Sequence, residues 1–206
     1  LMESDVMFGV TLMDALGKQL YDDTVNKSIV NLGCGKRLKK ILSKEKIKLA
    51  FLGASVSCGY KAAPEGHGKA FPAFVEDMFA EKFGRERVES RNMAVSGTDT
   101  YTGMLVAQML MPDYKPDIIF IEYAINEGSR PFNVEKYESL LRMLISFEWQ
   151  PVVIPVAVFN RDGYSCQEYM LYFSKHYHMA VPMHPYISQM RSSPDLAVQE
   201  NYLSCN

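Results

Sequence analysis

The sequence predicts an α/β domain of three layers, α/β/α, on a parallel five-stranded sheet, and three observations lead there. From Ile47 onward, short apolar runs alternate with longer stretches of helical periodicity. The runs are almost unbroken in apolar character, as strands covered on both faces are. No internal repeat, low-complexity tract or Pro/Gly/Ser linker divides the chain, and 206 residues with 48% apolar side chains can bury one sizeable core.

In chain order, residues 36–48 hold seven basic side chains against one Glu, with Leu38, Ile41 and Leu42 at helical spacing. That pattern predicts a solvated amphipathic helix feeding the first strand rather than a nucleic-acid patch. Residues 1–46 are accordingly expected to be a helical lead-in and residues 47–206 the α/β domain. Ile47 to Leu52 reads as a strand ending at Gly53. Ala70 to Phe83 reads as a helix with Phe71, Phe74, Val75, Met78, Phe79 and Phe83 on one face. Val88 to Ala94 is a weaker strand, Tyr101 to Met111 a helix, and Asp117 to Tyr123 a strand buried on both faces. Val134 to Phe147 (helix), Pro151 to Phe159 (strand), Ser165 to Tyr177 (helix) and Met179 to Met183 (short strand) complete the pattern. Five strands with helices between them give a parallel sheet, whose ligands sit beyond the carboxyl ends of the strands.

Composition narrows the chemistry. A net charge of −2 provides no field to attract nucleic acid. No window approaches the ~18 uncharged apolar residues of a membrane span. Cys34, Cys58, Cys166 and Cys205 are scattered without zinc-ligand spacing, so reduced thiols are expected, with neither metal nor organic cofactor. Reduced thiols and the absence of a basic-then-apolar leader favour a cytoplasmic location. Small-molecule chemistry is the expectation that remains.

Three predicted strand ends are small or polar: Gly53-Ala54-Ser55, Ser96-Gly97-Thr98, and Ala124-Ile125-Asn126-Glu127. The first fits neither nucleotide-phosphate pattern and lacks the G-x-S-x-G spacing of a nucleophile elbow. Even so, Ser55 would present its hydroxyl at the mouth of the sheet, beside the start of a helix. A serine attacking an ester carbonyl needs donors aimed at the oxygen that becomes negative. Gly97 can offer an unobstructed backbone N–H and Asn126 a side-chain amide, which with the Ser55 N–H would make a three-donor oxyanion hole. Each residue alone is an ordinary turn or cap residue. Their order at three successive strand ends is what points to catalysis.

That order resembles the SGNH hydrolases, or GDSL-type esterases, over roughly residues 36–190. Leu49-Ala50-Phe51-Leu52-Gly53-Ala54-Ser55 is similar to their first block, with Ala54 where Asp or Gly is usual. Asn92 to Gly97 is similar to the second, which ends in the oxyanion glycine. Tyr123-Ala124-Ile125-Asn126-Glu127 is similar to the third, Gly-x-Asn-Asp, with Ala for Gly and Glu for Asp. The bacterial branch acting on acylated carbohydrates is the nearest.

The resemblance implies a flavodoxin-like fold and a Ser55 nucleophile, with Ser55, Gly97 and Asn126 as oxyanion donors. The substrates it implies are short acyl esters, acetyl groups on carbohydrates among them. Ser57 is the rival nucleophile. A catalytically silent SGNH-fold binding or scaffold module is the alternative.

The fourth block of the family, Asp-x-x-His, supplies the base and its orienting carboxylate. It does not occur here. His67 lies in a Gly-rich loop, and His176 and His178 end a helix. His184 ends the last predicted strand but has Val rather than Asp at position 181. The base is therefore expected beyond Asn206, with the chain as given crippled. An apolar surface left open there would favour a homodimer.

Overall fold

A computed structural model describes residues 6–7, 10–11, 29–30, 34–60, 69–128, 134–158, 166–179 and 181–182. Its centre is a four-stranded parallel sheet in the order β5-β4-β6-β7. The strands are β4 (Ile47–Gly53), β5 (Val88–Asn92), β6 (Ile118–Glu122) and β7 (Val152–Pro155). Three two-residue strands precede them: β1 (Val6–Met7), β2 (Val10–Thr11) and β3 (Ile29–Val30). β1 pairs with β2 antiparallel.

The fifth parallel strand expected at Met179 to Met183 is corrected. Among the described residues of that run Val181–Pro182 forms a strand, β8, which pairs antiparallel with β3, Val30 opposite Val181. Pro182 has no N–H to give to a ladder, which suits a short edge pairing rather than an extended strand in the main sheet.

Period-two alternation explains why β4 and β6 are apolar almost throughout. Ile47, Leu49 and Phe51 face one side with Ile118, Phe120 and Val152. Ala50 and Leu52 face the other with Ile119, Ile121 and Val153. The first face is covered by α1 (Gly35–Leu42) and, after the short turn helix α2 (Ser55–Cys58), by α3 (Phe71–Phe83). There the Phe51 ring stacks on Phe120 at 5.0 Å and meets Phe71 edge-on at 5.9 Å. α3 uses the row Phe71, Val75, Phe79 and Phe83. Phe74 and Met78, expected on the same face, are half exposed at 50% and 52%, because the contact follows the four-residue ridge.

The opposite face is covered by α4 (Thr100–Tyr114), α6 (Val134–Ile145) and α7 (Gln167–His176), with a short α5 (Ala124–Gly128) between β6 and α6. α1 carries the basic run, and its Ile41 is buried against the sheet. Among the described residues no helix is long and apolar enough to cross a membrane.

Strand starts are fixed by Asp117, whose carboxylate accepts from the Lys48 N–H at 2.9 Å and pairs with the Lys44 ammonium. At the carboxyl end the constraint is Gly53, opposite Glu122 in the register. A Cβ on Gly53 would lie 2.2 Å from Ser57 Oγ and 2.9 Å from the Glu122 carbonyl oxygen. Gly53→Ala is therefore expected to destabilise the fold by about 1–3 kcal/mol, as overpacking typically does. A urea midpoint equal to wild type would show that the turn can yield.

Candidate active site

The chain runs from β4 outward to β5 and then crosses back to β6 on the other side of β4. This reversal makes the carboxyl ends of β4 and β6 the crevice of the sheet. Ser55, the first residue of α2, follows β4 directly. It is half-buried, and its N–H, at the first position of a helix, has no intrahelical acceptor. The Tyr60 N–H donates to the Ser55 carbonyl at 3.0 Å and closes the turn.

Ser57, the rival nucleophile, is wholly buried and donates its hydroxyl to Glu122 Oε2 at 3.1 Å. Its proton is engaged beneath the turn, while Ser55 keeps partial exposure above it.

Glu122 had no role in the sequence reading, yet it is a wholly buried carboxylate under the Ser55 turn. Burial raises its pKa from 4.5 to about 7, against the Ser57 hydroxyl and the Ala54 and Ser57 N–H groups that favour its ionised form. An unfolded chain ionises this group near 4.5 and the folded one near 7. Between those values the folded state holds more protons, so stability falls as pH rises through the window, by about 3 kcal/mol in all. Glu122→Gln keeps an oxygen for Ser57 and removes the ionisation. The melting temperature of wild type relative to this variant is therefore expected to fall from pH 5 to pH 8, and parallel curves would contradict the buried carboxyl.

After β5 the chain stays beside β4. The Met93 N–H donates to the Phe51 carbonyl at 2.8 Å and the Val95 N–H to the Gly53 carbonyl at 3.0 Å. The Asn92 side chain donates to the Ser57 carbonyl at 2.7 Å and accepts from the Ala94 N–H at 3.1 Å. Burial pushes the Cys58 thiol up, with the Ser96 N–H a smaller opposing influence. Gly97 is exposed with φ +75°, and a Cβ there would meet nothing within 4 Å. The backbone angle, not crowding, is what asks for glycine.

Asn126 lies in α5, half-buried, on the other side of β4 from Gly97. Its neighbour Glu127 is buried, 3% exposed, and accepts from the Thr100 N–H at 2.8 Å and from the Thr100 hydroxyl. Lys136 of α6 reaches Glu127 Oε2 at 3.2 Å and Asp99 Oδ2 at 2.9 Å. Asp99 caps α4 by accepting from the Thr102 N–H at 3.2 Å.

His176 and His178 are exposed at the far end of α7. The Cys166 N–H donates to the Ala124 carbonyl at 3.0 Å, so α7 begins beside the crevice. Its ten residues then carry the chain about 15 Å away at 1.5 Å per residue. His67 and His184 lie outside the described residues. Among the described residues no cluster of three His, Cys, Asp or Glu side chains is placed to hold a metal ion.

No protein-family model matches the chain. A solved two-domain esterase (CEX) active on acetylated mannans matches it with TM-score 0.67 at 24% identity, over 87% of this chain and 53% of that one. AlinE4, a SGNH-hydrolase family esterase, matches with TM-score 0.55 at 17% identity, over 74% and 83% of the two chains. The chain has the SGNH-hydrolase fold. In sequence, an arylesterase of Vibrio mimicus is 33% identical over 99 residues, 48% of this chain and 47% of that protein. The chain thus spans about half the length of the arylesterase and of the two-domain esterase. Ser55, Gly97 and Asn126 follow three adjacent strands of this fold, with the strand that leads to Ser55 in the middle.

Proposed function

We propose that the chain is a serine esterase of the SGNH (GDSL-type) family, acting on short acyl esters and, in particular, on acetyl groups of carbohydrates. The observation that carries this reading is the partly exposed Ser55 at the start of α2, flanked by the strand ends that bear Gly97 and Asn126. The substrate class is supported by the CEX esterase, which is active on acetylated mannans and was also co-crystallised with mannopentaose.

In this mechanism Ser55 Oγ attacks the ester carbonyl carbon. The carbonyl oxygen becomes negative and receives hydrogen bonds from the N–H groups of Ser55 and Gly97 and the Asn126 amide. The C–O bond to the alcohol breaks, leaving an acyl-Ser55 that water then cleaves. The Ser55 proton passes through a base, a role the resemblance gives to the His of an Asp-x-x-His block, and on to the leaving alcohol.

The test is turnover of 4-nitrophenyl acetate and of acetylated mannan oligosaccharides, together with fluorophosphonate labelling. Labelling at Ser55, lost in Ser55→Ala, supports the reading. Labelling at Ser57, or hydrolysis without labelling of any serine, overturns the assignment. A protein that carries the base and shows neither turnover nor label would favour the silent binding module.

A further inference from the structure

Two of the proposed oxyanion donors come from separate strand ends, and the position of a developing charge tolerates little drift between them. Glu127 spans that gap. It directly follows Asn126 in the chain, and its Oε1 holds both the N–H and the hydroxyl of Thr100, three residues beyond Gly97. Thr100 is wholly buried and is the first residue of α4. The other carboxylate oxygen pairs with Lys136, which also holds Asp99 at the N-cap of the same helix. The intervening Thr98 hydroxyl donates to the Val95 carbonyl at 2.6 Å and closes the turn on itself. Both ends of the Gly97 turn are thereby fastened: Val95 to Gly53 of β4, and Thr100 to Glu127 of α5.

Resting on the esterase reading for its catalytic consequence, we propose that Glu127 is a positioning residue, which locks the Gly97 turn to the helix bearing Asn126 and so fixes the spacing of the two donors. Glu stands at position 127 where the resembled motif has Asp, and its side chain reaches from α5 to the start of α4. With one oxygen on a helix N-terminus and the other on an ammonium, its charge is matched on both sides.

The test is amide hydrogen exchange and kinetics on Glu127→Leu, with the isosteric Glu127→Gln as second variant should the first fail to fold. In Glu127→Leu, exchange at Thr100 and across Gly97 to Asp99 is expected to accelerate at least about tenfold, with β4 and β6 amides unchanged. In Glu127→Gln, which keeps an oxygen for Thr100 but loses the Lys136 pair, the same amides should accelerate less. Unchanged exchange at these amides in the variant that folds overturns the lock.

In the active protein, kcat of Glu127→Leu is expected to fall about 10- to 100-fold with KM little changed, since small misplacements carry penalties of that order. The same substitution should cost much less on an Asn126→Ala background, because the donor it positions is already gone. Equal losses in both backgrounds, or a lower melting temperature with kcat untouched, would mark Glu127 as merely structural and overturn the proposal. If a protein that carries the base hydrolyses no ester at all, the esterase reading falls, while the exchange data still decide the lock.

Discussion

Ser55→Ala is expected to lower kcat for ester hydrolysis by about 10⁴–10⁶ in a protein that carries the base, with KM changed little and the fold intact. Loss of a triad nucleophile has this size because the acyl-enzyme route closes, and only binding and oxyanion stabilisation remain to accelerate direct attack by water. The structure gives two reasons to expect a clean effect. Ser55 keeps its backbone roles in α2 when it becomes Ala, since the Tyr60 N–H bonds to its carbonyl and the N–H proposed as an oxyanion donor is unchanged by the substitution. Its neighbour Ser57 cannot take over, because that hydroxyl is buried and donates to Glu122. Steady-state kinetics on acetyl esters with a matched melting curve checks both points. A loss smaller than tenfold would mean that Ser55 is not the nucleophile.

Much of the fold was legible because strong local patterns and tertiary packing agree. β4 and β6 read as unbroken apolar runs, and they are the two inner strands, buried on both faces. β5, Val-Glu-Ser-Arg-Asn, read as weak, and it is a partly exposed edge of the sheet. The fifth strand failed because an apolar run containing Pro182 carries no information on its partner, and the partner is β3, some 150 residues earlier. In α3, periodicity alone could not tell which of two overlapping rows faces the sheet; the row starting at Phe71 does, leaving Phe74 half exposed.

At the candidate site the strand-end residues were legible and their supports were not. Gly97 stood out as a small residue between polar ones, and its φ of +75° is what a glycine permits. Glu122 was readable only as part of the strand from Asp117 to Tyr123. The available signal was a carboxylate that closes four consecutive apolar residues, Ile118 to Ile121, on an inner strand, a place where an acid is buried only when it is paired or neutralised. Its partner Ser57 lies 65 residues away, and the partners of Glu127, Thr100 and Lys136, have no regular spacing from it. Such pairings exist only once the sheet order places the strand ends side by side.

Asn126→Ala is expected to lose about 10²–10³ in kcat with modest change in KM, the usual consequence of removing one oxyanion donor. The Asn126 amide would act on an oxygen that carries full negative charge only after Ser55 attacks, so its contribution belongs to the transition state and not to substrate binding. Asn126→Asp should be worse than Ala, because an ionised carboxylate offers acceptors alone and repels the oxyanion. Neither change should unfold the protein. α5 is held by its backbone, with the Glu127 N–H on the Tyr123 carbonyl at 3.0 Å, and by the Glu127 carboxylate on Thr100. Steady-state kinetics of both variants on one acetyl ester distinguishes the roles. A rise in KM at constant kcat would make Asn126 a substrate-binding residue, and a loss in Asp no greater than in Ala would mean that no negative charge develops beside position 126.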